Sequence, residues 1–378
     1  MKNWLKNNLK GDPVIWIIVL MLSVISILVV YSATGTLAFK KMGGDTEAYL
    51  FKHGALMILS LIVMYGAHLI DYRHFARLAR LGLIISVPLL IFTLFFGTKL
   101  NEAGRWITIP LIHQSFQPSD LAKLALISSL ASMLAKRQQN IDDVKNALLP
   151  ILIWVGIICG LIVWANFSTG FLLLITCILV MFIGRVPVKY FGILGLVGTL
   201  AITAALFAGQ RGNTFKSRIN KYVETVSNPR SSKVPFQAQQ GYIAIATGGV
   251  LGKGWGHSEQ RNFLPHPYSD FVFAIIIEEY GLLGGAFVVF LYLALLYRGM
   301  LAVSRTDRAF GGLLSAGLSF SLVIQAFINM GVAVGLLPIT GQPLPLLSMG
   351  GTSLLFTGLA IGIIISVSRG ELKEKPIS

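Results

Sequence analysis

The sequence predicts an all-α protein that crosses a membrane ten times, with one long extracytoplasmic loop between the seventh and eighth helices. Three observations carry this. Apolar runs near or above ~18 residues, about the length a helix needs to cross the hydrocarbon, recur along all 378 residues. Only 12% of the residues are charged, against about 25% in a soluble domain, and mean hydropathy is +0.73. No polar stretch is long enough for a separate domain, so residues 1–378 read as one transmembrane unit.

The spans fall at about 14–32, 54–70, 82–97, 119–135, 148–164, 170–184, 189–208, 271–297, 311–333 and 349–367. The first is too long for a signal-peptide core and lacks a clear cleavage site, so it reads as a retained anchor. The fifth and sixth are separated only by "ANFST" (165–169), a kink or re-entrant turn. One alternating set of short segments, with both termini in it, holds more than half of the 31 Lys and Arg residues. By the positive-inside rule both termini are cytoplasmic and the 210–269 loop is outside. Within that loop "SRINKYVETVSNP" (217–229) predicts an amphipathic helix on the bilayer surface. No internal repeat is visible, which argues against an inverted-repeat transporter.

Several chemistries are poorly supported. The +15 net charge sits in membrane-flanking segments, which fits a bilayer rather than nucleic acid. Cys159 and Cys177 lie inside apolar runs and read as core residues rather than a disulfide. There is no CxxC, no HExxH and no metal-like spacing among the six His residues, so a metal ligand set is unknown.

Ionisable groups at membrane depth cost at least ~2.5 kcal/mol each and usually face a cavity or a partner. The candidates are Asp120, Lys123, Asp270, Glu278 and Glu279. Asp270 stands where the long loop enters the eighth span. It reads either as a helix N-cap or first-turn acid, or as a general base at the water–lipid boundary. On a continuous helix Glu278 lies roughly 80° around from Asp270 and ~12 Å deeper, and Glu279 points nearly opposite. One of the two glutamates is expected to pair with a basic residue elsewhere, and Glu279 reads as a buried structural acid. Gly281, Gly284 and Gly285 follow and allow close helix approach.

Three further segments stand out. In "GRWITIPLIHQSFQPSDLAKL" (104–124), Pro118 and Asp120 suit a first helical turn. Lys123 is three residues after Asp120, either a plain i,i+3 partner or, with Arg105, a cation for a leaving diphosphate. Trp106 reads as an interfacial anchor. "TGGVLGKGWG" (247–256) is not a phosphate loop, because neither Ser nor Thr follows its Gly-Lys; it predicts a flexible turn at the membrane surface. "GLLPITGQPLPLLSMGGTSLL" (335–355) has three prolines and four glycines at a span boundary. It predicts broken helix lining a pocket, since freed backbone groups are tolerated at that depth only inside protein.

Together "SFQPSDLAK", "GKGWG", "FLPHPYSDFVFAIIIEEYGLLG" and "GLLPITGQPLPLLSMGGTSLL" resemble, in order, the signature segments of the SEDS family, which includes FtsW, RodA and SpoVE. The resemblance implies a ten-span peptidoglycan glycosyltransferase of the bacterial inner membrane that polymerises lipid II during cell division. It carries the catalytic acid to Asp270 and the basic pair to Arg105 and Lys123. The substrate-binding set it suggests adds Gln117, Ser119, Asp120, Arg218, Gln240, Lys253, Glu278, Pro345, Ser348, Gly350 and Gly351. A divalent cation, Mg2+ or Mn2+, is compatible with that chemistry, although the sequence does not show one. The implied partners are a class B penicillin-binding protein transpeptidase, other divisome proteins and the lipid bilayer, with no nucleic acid. The family's "QPDLGT" reads "ANFSTG" here, so its Asp has no carrier. "NFST" and "LSMGGTS" lean toward FtsW rather than RodA. The alternatives are a lipid II flippase, an elongation polymerase of the RodA type, and a non-catalytic division scaffold.

Overall fold

A computed structural model describes residues 9–41, 46–100, 103–109, 114–138, 143–192, 195, 198, 212–227, 234–264, 267–306 and 308–374. The elements are α1 (Pro13–Lys41), α2 (Thr46–Leu69), α3 (Tyr72–Phe96), β1 (Thr98–Leu100), β2 (Ala103–Ile109), β3 (Gln114–Phe116), α4 (Pro118–Arg137), α5 (Leu149–Ala165) and α6 (Phe167–Ile183). Then come α7 (Gly212–Ser227), α8 (Phe236–Gly248), α9 (Val272–Arg305), α10 (Ala309–Ala333) and α11 (Thr352–Glu374).

Among the described residues seven helices are long and apolar enough to cross a membrane: α1, α2, α3, α5 with the turn before it, α9, α10 and α11. The chain is thus a polytopic helical membrane protein. The ten-span expectation is met only in part. The fourth span corresponds to α4, whose serines and charges dilute its apolar character. The sixth corresponds to α6, which has 17 residues. Most of the seventh, 189–208, lies outside the described residues.

Local chemistry sets the helix ends. Asp12 Oδ1 accepts the Val14 N–H at 2.9 Å, and Asp71 caps α3 by accepting Arg73 N–H at 3.0 Å. Asn166, in extended conformation, is the single joint between α5 and α6. A Cβ on Gly170 would overlap Val163, although seven residues on a straight helix span about 10 Å. The chain therefore folds back sharply at "ANFST". Helix α10 is the central element, packing against α4, α6, α9 and α11. Helices α2 and α11 meet closely because Gly358 and Gly362 have no side chain to hold their backbones off Ser60 and Met64.

The all-α expectation is met except for a small sheet: Thr98–Leu100, Ala103–Ile109 and Gln114–Phe116 form a three-stranded antiparallel meander, β1-β2-β3. The β-branched run Ile107-Thr108-Ile109 favours the strand, and Thr108 pairs with Ser115. The 210–269 segment holds α7 and α8. Residues 217–227 of the expected amphipathic helix fall within α7, and 228–229 lie outside the described residues.

The sharpest feature is inside α9. Gly281 has φ 70° and ψ −172°, which breaks the helix nine residues after its start. An unbroken helix would bond Leu282 and Leu283 N–H to the Glu278 and Glu279 carbonyls. Here those N–H groups go instead to the carbonyls of Gly249 (2.9 Å) and Val250 (3.3 Å). The two orphaned carbonyls receive Lys253 N–H (2.9 Å) and Gly254 N–H (3.0 Å). The Gly-rich "GGVLGKG" is therefore a backbone-paired clasp and not a loose turn.

Gly281→Ala is expected to destabilise by at least about 2 kcal/mol, because an L side chain rarely adopts this conformation and its Cβ would overlap the Val250 carbonyl. Melting in detergent checks this against Gly54→Ala, whose Cβ meets nothing within 4 Å and which should leave the melting temperature level or slightly raised.

Candidate functional site

The long segment between α6 and α9 enters α9 through the turn Tyr268-Ser269-Asp270. Phe271 is the helix N-cap residue, and it makes no side-chain cap bond. Asp270 therefore stands before the helix and does not cap it. Its half-buried carboxylate accepts one hydrogen bond, from Ser269 Oγ at 2.9 Å. Arg218 of α7 is near enough for charge interaction: burial pulls its guanidinium below the usual range, and the Asp270 carboxylate opposes that.

The segment 335–351 faces this acid. It bends repeatedly, with Gly335, Gly341, Gly351 and even Leu346 at positive φ. A Cβ on Gly341 would lie 3.6 Å from Asp270 Oδ2, in ordinary van der Waals contact, so the bend faces the carboxylate. The freed carbonyls of the segment take donors from surrounding elements. Tyr222 serves Leu336 (2.8 Å), Arg218 serves Ile339 (3.0 Å), Asn329 serves Gln342 (2.7 Å), and Gln325 serves Pro343 (2.9 Å). Tyr292 serves Pro345, and Ser26 serves Leu347 at 3.1 Å. Ser348 Oγ receives Leu344 N–H at 2.8 Å and donates to the Ser269 carbonyl at 2.6 Å, while Met349 N–H reaches the Tyr268 carbonyl at 2.9 Å. The broken segment and the Asp270 turn are thus one bonded unit.

Lys123 approaches from α4. It pairs with Asp120 at 2.9 Å and donates to Gln325 Oε1 at 3.4 Å, with 17% of its side chain exposed. Because Gln325 also holds Pro343, the ammonium stands one carboxamide away from the segment that faces Asp270. Gln117 Nε2 donates to Ser119 Oγ at 2.7 Å. Gln117 N–H and the Ser115 carbonyl meet Thr352 Oγ1 at 3.4 and 3.3 Å, which ties the start of α4 to α11. Gly350 and Gly351 are half-buried at the same junction. Gln240 is half-buried on α8, which packs on the start of α9. The Arg105 side chain lies outside the described residues. A cavity of about 480 Å³ opens between α7, α8 and residues 337–339, with Arg218, Lys221, Tyr222 and Tyr242 on its walls.

The structure separates Glu278 from this group. It is fully buried, and its carboxylate accepts Lys253 Nζ (3.0 Å), Ser258 Oγ (2.5 Å), Glu259 N–H (3.1 Å) and Gln260 N–H (3.3 Å). Burial works against the Lys253 ammonium, but the bond to Glu278 and the charges of Glu278 and Glu259 outweigh it and hold it above its usual range. In this structure the Glu278 and Lys253 side chains hold the clasp together. Pro345 and Ser348 are also buried, with their polar atoms used inside the protein. Glu279 accepts Ser32 Oγ, and Arg261 bonds the same serine, so α1 is tied to the clasp.

Sequence reasoning missed Gln325 and Asn329. The signal was available: two carboxamides four residues apart in "LVIQAFINMG" lie on one face of an otherwise apolar helix. It also gave no role to Gln342, whose Nε2 bonds Thr169 Oγ1 at 2.7 Å. Among the described residues no three His, Cys, Asp or Glu side chains converge as a metal cage.

Fold and site define a polytopic helical membrane protein with a carboxylate set against a broken, cavity-lining segment. The family model described as cell cycle protein, covering FtsW, RodA and SpoVE, matches residues 12–373. Stage V sporulation protein E of Bacillus subtilis is 33% identical over 366 residues, 95% of this chain and 97% of that one. A probable peptidoglycan glycosyltransferase FtsW of Geobacter metallireducens is 33% identical over 370 residues, 96% of each chain. The crystal structure of the Thermus thermophilus rod shape determining protein RodA superposes with a TM-score of 0.70 at 24% identity, over 98% of this chain and 99% of that one. A chain from a peptidoglycan synthase complex gives 0.71 at 24%, over 96% and 99%. The chain belongs to the FtsW/RodA/SpoVE family.

Lys253→Ala is expected to cost about 3 kcal/mol, because it strips a cation from a buried carboxylate. Lys253→Arg should retain most of that. Thermal melting of the purified variants checks both.

Proposed function

We propose that this protein is a peptidoglycan glycosyltransferase that polymerises lipid II at the outer face of the inner membrane, as one transmembrane unit with both termini in the cytoplasm. The observation that carries the reading is the Asp270 carboxylate. It is half-buried and, among the described residues, accepts a hydrogen bond only from a neighbouring hydroxyl with the Arg218 charge nearby, while Asp120 and Glu278 pair with lysines and Glu279 is buried against Ser32. Relatives named as probable peptidoglycan glycosyltransferases support the same class.

In this reading Asp270 takes the proton of the acceptor's N-acetylglucosamine 4-hydroxyl. That oxygen bonds to the anomeric carbon of the donor's N-acetylmuramic acid as the carbon–oxygen bond to diphosphate breaks. The face of attack is opposite the leaving group, so an α-linked donor gives a β-linked strand. Undecaprenyl diphosphate departs with its charge stabilised by Lys123 and Arg105, and Arg218 borders the neighbouring cavity. One carboxylate suffices because the leaving group is already acidic. A divalent cation, Mg2+ or Mn2+, would accompany the substrate's diphosphate and neutralise part of its charge.

We further propose that the chain serves septal synthesis with a class B penicillin-binding protein transpeptidase and other divisome proteins. A solved chain of similar fold comes from a peptidoglycan synthase complex that coordinates polymerization and crosslinking, which supports a transpeptidase partner.

Purified Asp270→Asn, assayed with the transpeptidase on lipid II in detergent, should fold and bind substrate yet make no glycan. Wild-type polymerisation by that variant would sink the base assignment. Detergent removes the leaflets, so glycan made there by the wild type speaks for an enzyme rather than a flippase. Lys123→Ala should lower the rate roughly 10- to 100-fold, and an unchanged rate would remove it from the site.

A further inference from the structure

We propose that Asn329 is a positioning residue for Asp270: its carboxamide joins the Asp270 and Gln342 carbonyls and fixes the acid against the segment that Lys123 reaches. This rests on the reading of Asp270 as the general base.

The first backbone acceptor of α9 is the Phe271 carbonyl, which takes Ala274 and Ile275 N–H at 3.0 and 3.3 Å. The Asp270 carbonyl precedes it and has no helical donor. Asn329 Nδ2 supplies one at 3.1 Å and bonds the Gln342 carbonyl at 2.7 Å. An NH2 group carries two hydrogens, so each carbonyl receives one. With only 1% of its surface exposed, Asn329 is held by packing on α10. Fixing the Asp270 peptide plane limits the direction in which its side chain leaves the backbone.

One turn earlier on the same face, Gln325 bonds the Pro343 carbonyl at 2.9 Å and accepts Lys123 Nζ at 3.4 Å. The two carboxamides therefore set the separation of acid and ammonium through adjacent residues of one segment. From the far side Gln342 Nε2 holds Thr169 Oγ1 at 2.7 Å, which keeps that segment from sliding. The residue type is constrained as well. Leucine would leave a buried and a half-buried carbonyl without donors, and an ionised aspartate would turn an anion on both.

The test measures lipid II polymerisation by the full chain with its transpeptidase, for wild type, Asn329→Ala, Asn329→Asp and Asp270→Asn. The folded fraction of each is fixed by melting in detergent. Both Asn329 variants are expected to lose roughly 10- to 100-fold in kcat per folded molecule, with KM for lipid II within about threefold of wild type. The Asp variant matches the native volume, so packing loss does not explain its defect. Wild-type kcat in folded Asn329 variants, with Asp270→Asn inactive, overturns the positioning role alone. A fall in folded protein with unchanged kcat per folded molecule overturns it too, in favour of a purely structural bond. Wild-type turnover by Asp270→Asn overturns the base assignment and the positioning role together.

Discussion

Helix α9 gives up two of its own hydrogen bonds at Gly281 and recovers them from a loop, and the segments around the start of α9 are arranged about that exchange. A backbone amide or carbonyl inside a membrane protein has no water to turn to, so a break in a helix must be matched group for group by other protein. The clasp at 249–254 does this with four backbone bonds. The Lys253–Glu278 pair and the hydroxyl and amides of residues 258–260 then hold the clasp in place.

The same constraint shapes the site. Residues 335–351 bend too often to satisfy all of their own carbonyls, so side chains from α1, α7, α9 and α10 donate to several of them. Each donor fixes one more coordinate of a segment that would otherwise have many conformations. The acid benefits twice. Its carbonyl is bonded to Asn329 and the preceding Ser269 carbonyl to Ser348, and among the described residues its carboxylate is left with one hydroxyl donor. A group meant to exchange a proton needs that combination of a fixed frame and an uncommitted oxygen.

Much of this was legible in the sequence. Apolar length marked the spans, the Asp270 seam and the Gly/Pro-rich 335–355 stretch marked the site, and "ANFST" marked a sharp reversal. What stayed hidden depends on pairing between distant segments. Nothing in "GKGWG" announces that its amides match carbonyls 25 residues later. Helical phase set Glu278 roughly 80° around from Asp270, but Asp270 lies before the helix, so the phase does not reach it. The carboxamides of α10 were readable as polar residues in an apolar helix, yet their partners are main-chain atoms that no side-chain pattern reveals. The meander at 98–116 was missed because its strands are short and interrupted by Pro110 and polar residues.

The account requires the Asp270 oxygen to meet water from the outer side of the membrane. Asp270→Cys tests this directly, because the two native cysteines are buried and contribute little background. In intact spheroplasts a membrane-impermeant thiol reagent should label the new cysteine readily, while the wild type stays unlabelled. A cysteine that reacts only after the cytoplasm is opened, or not at all in the folded protein, would contradict the account.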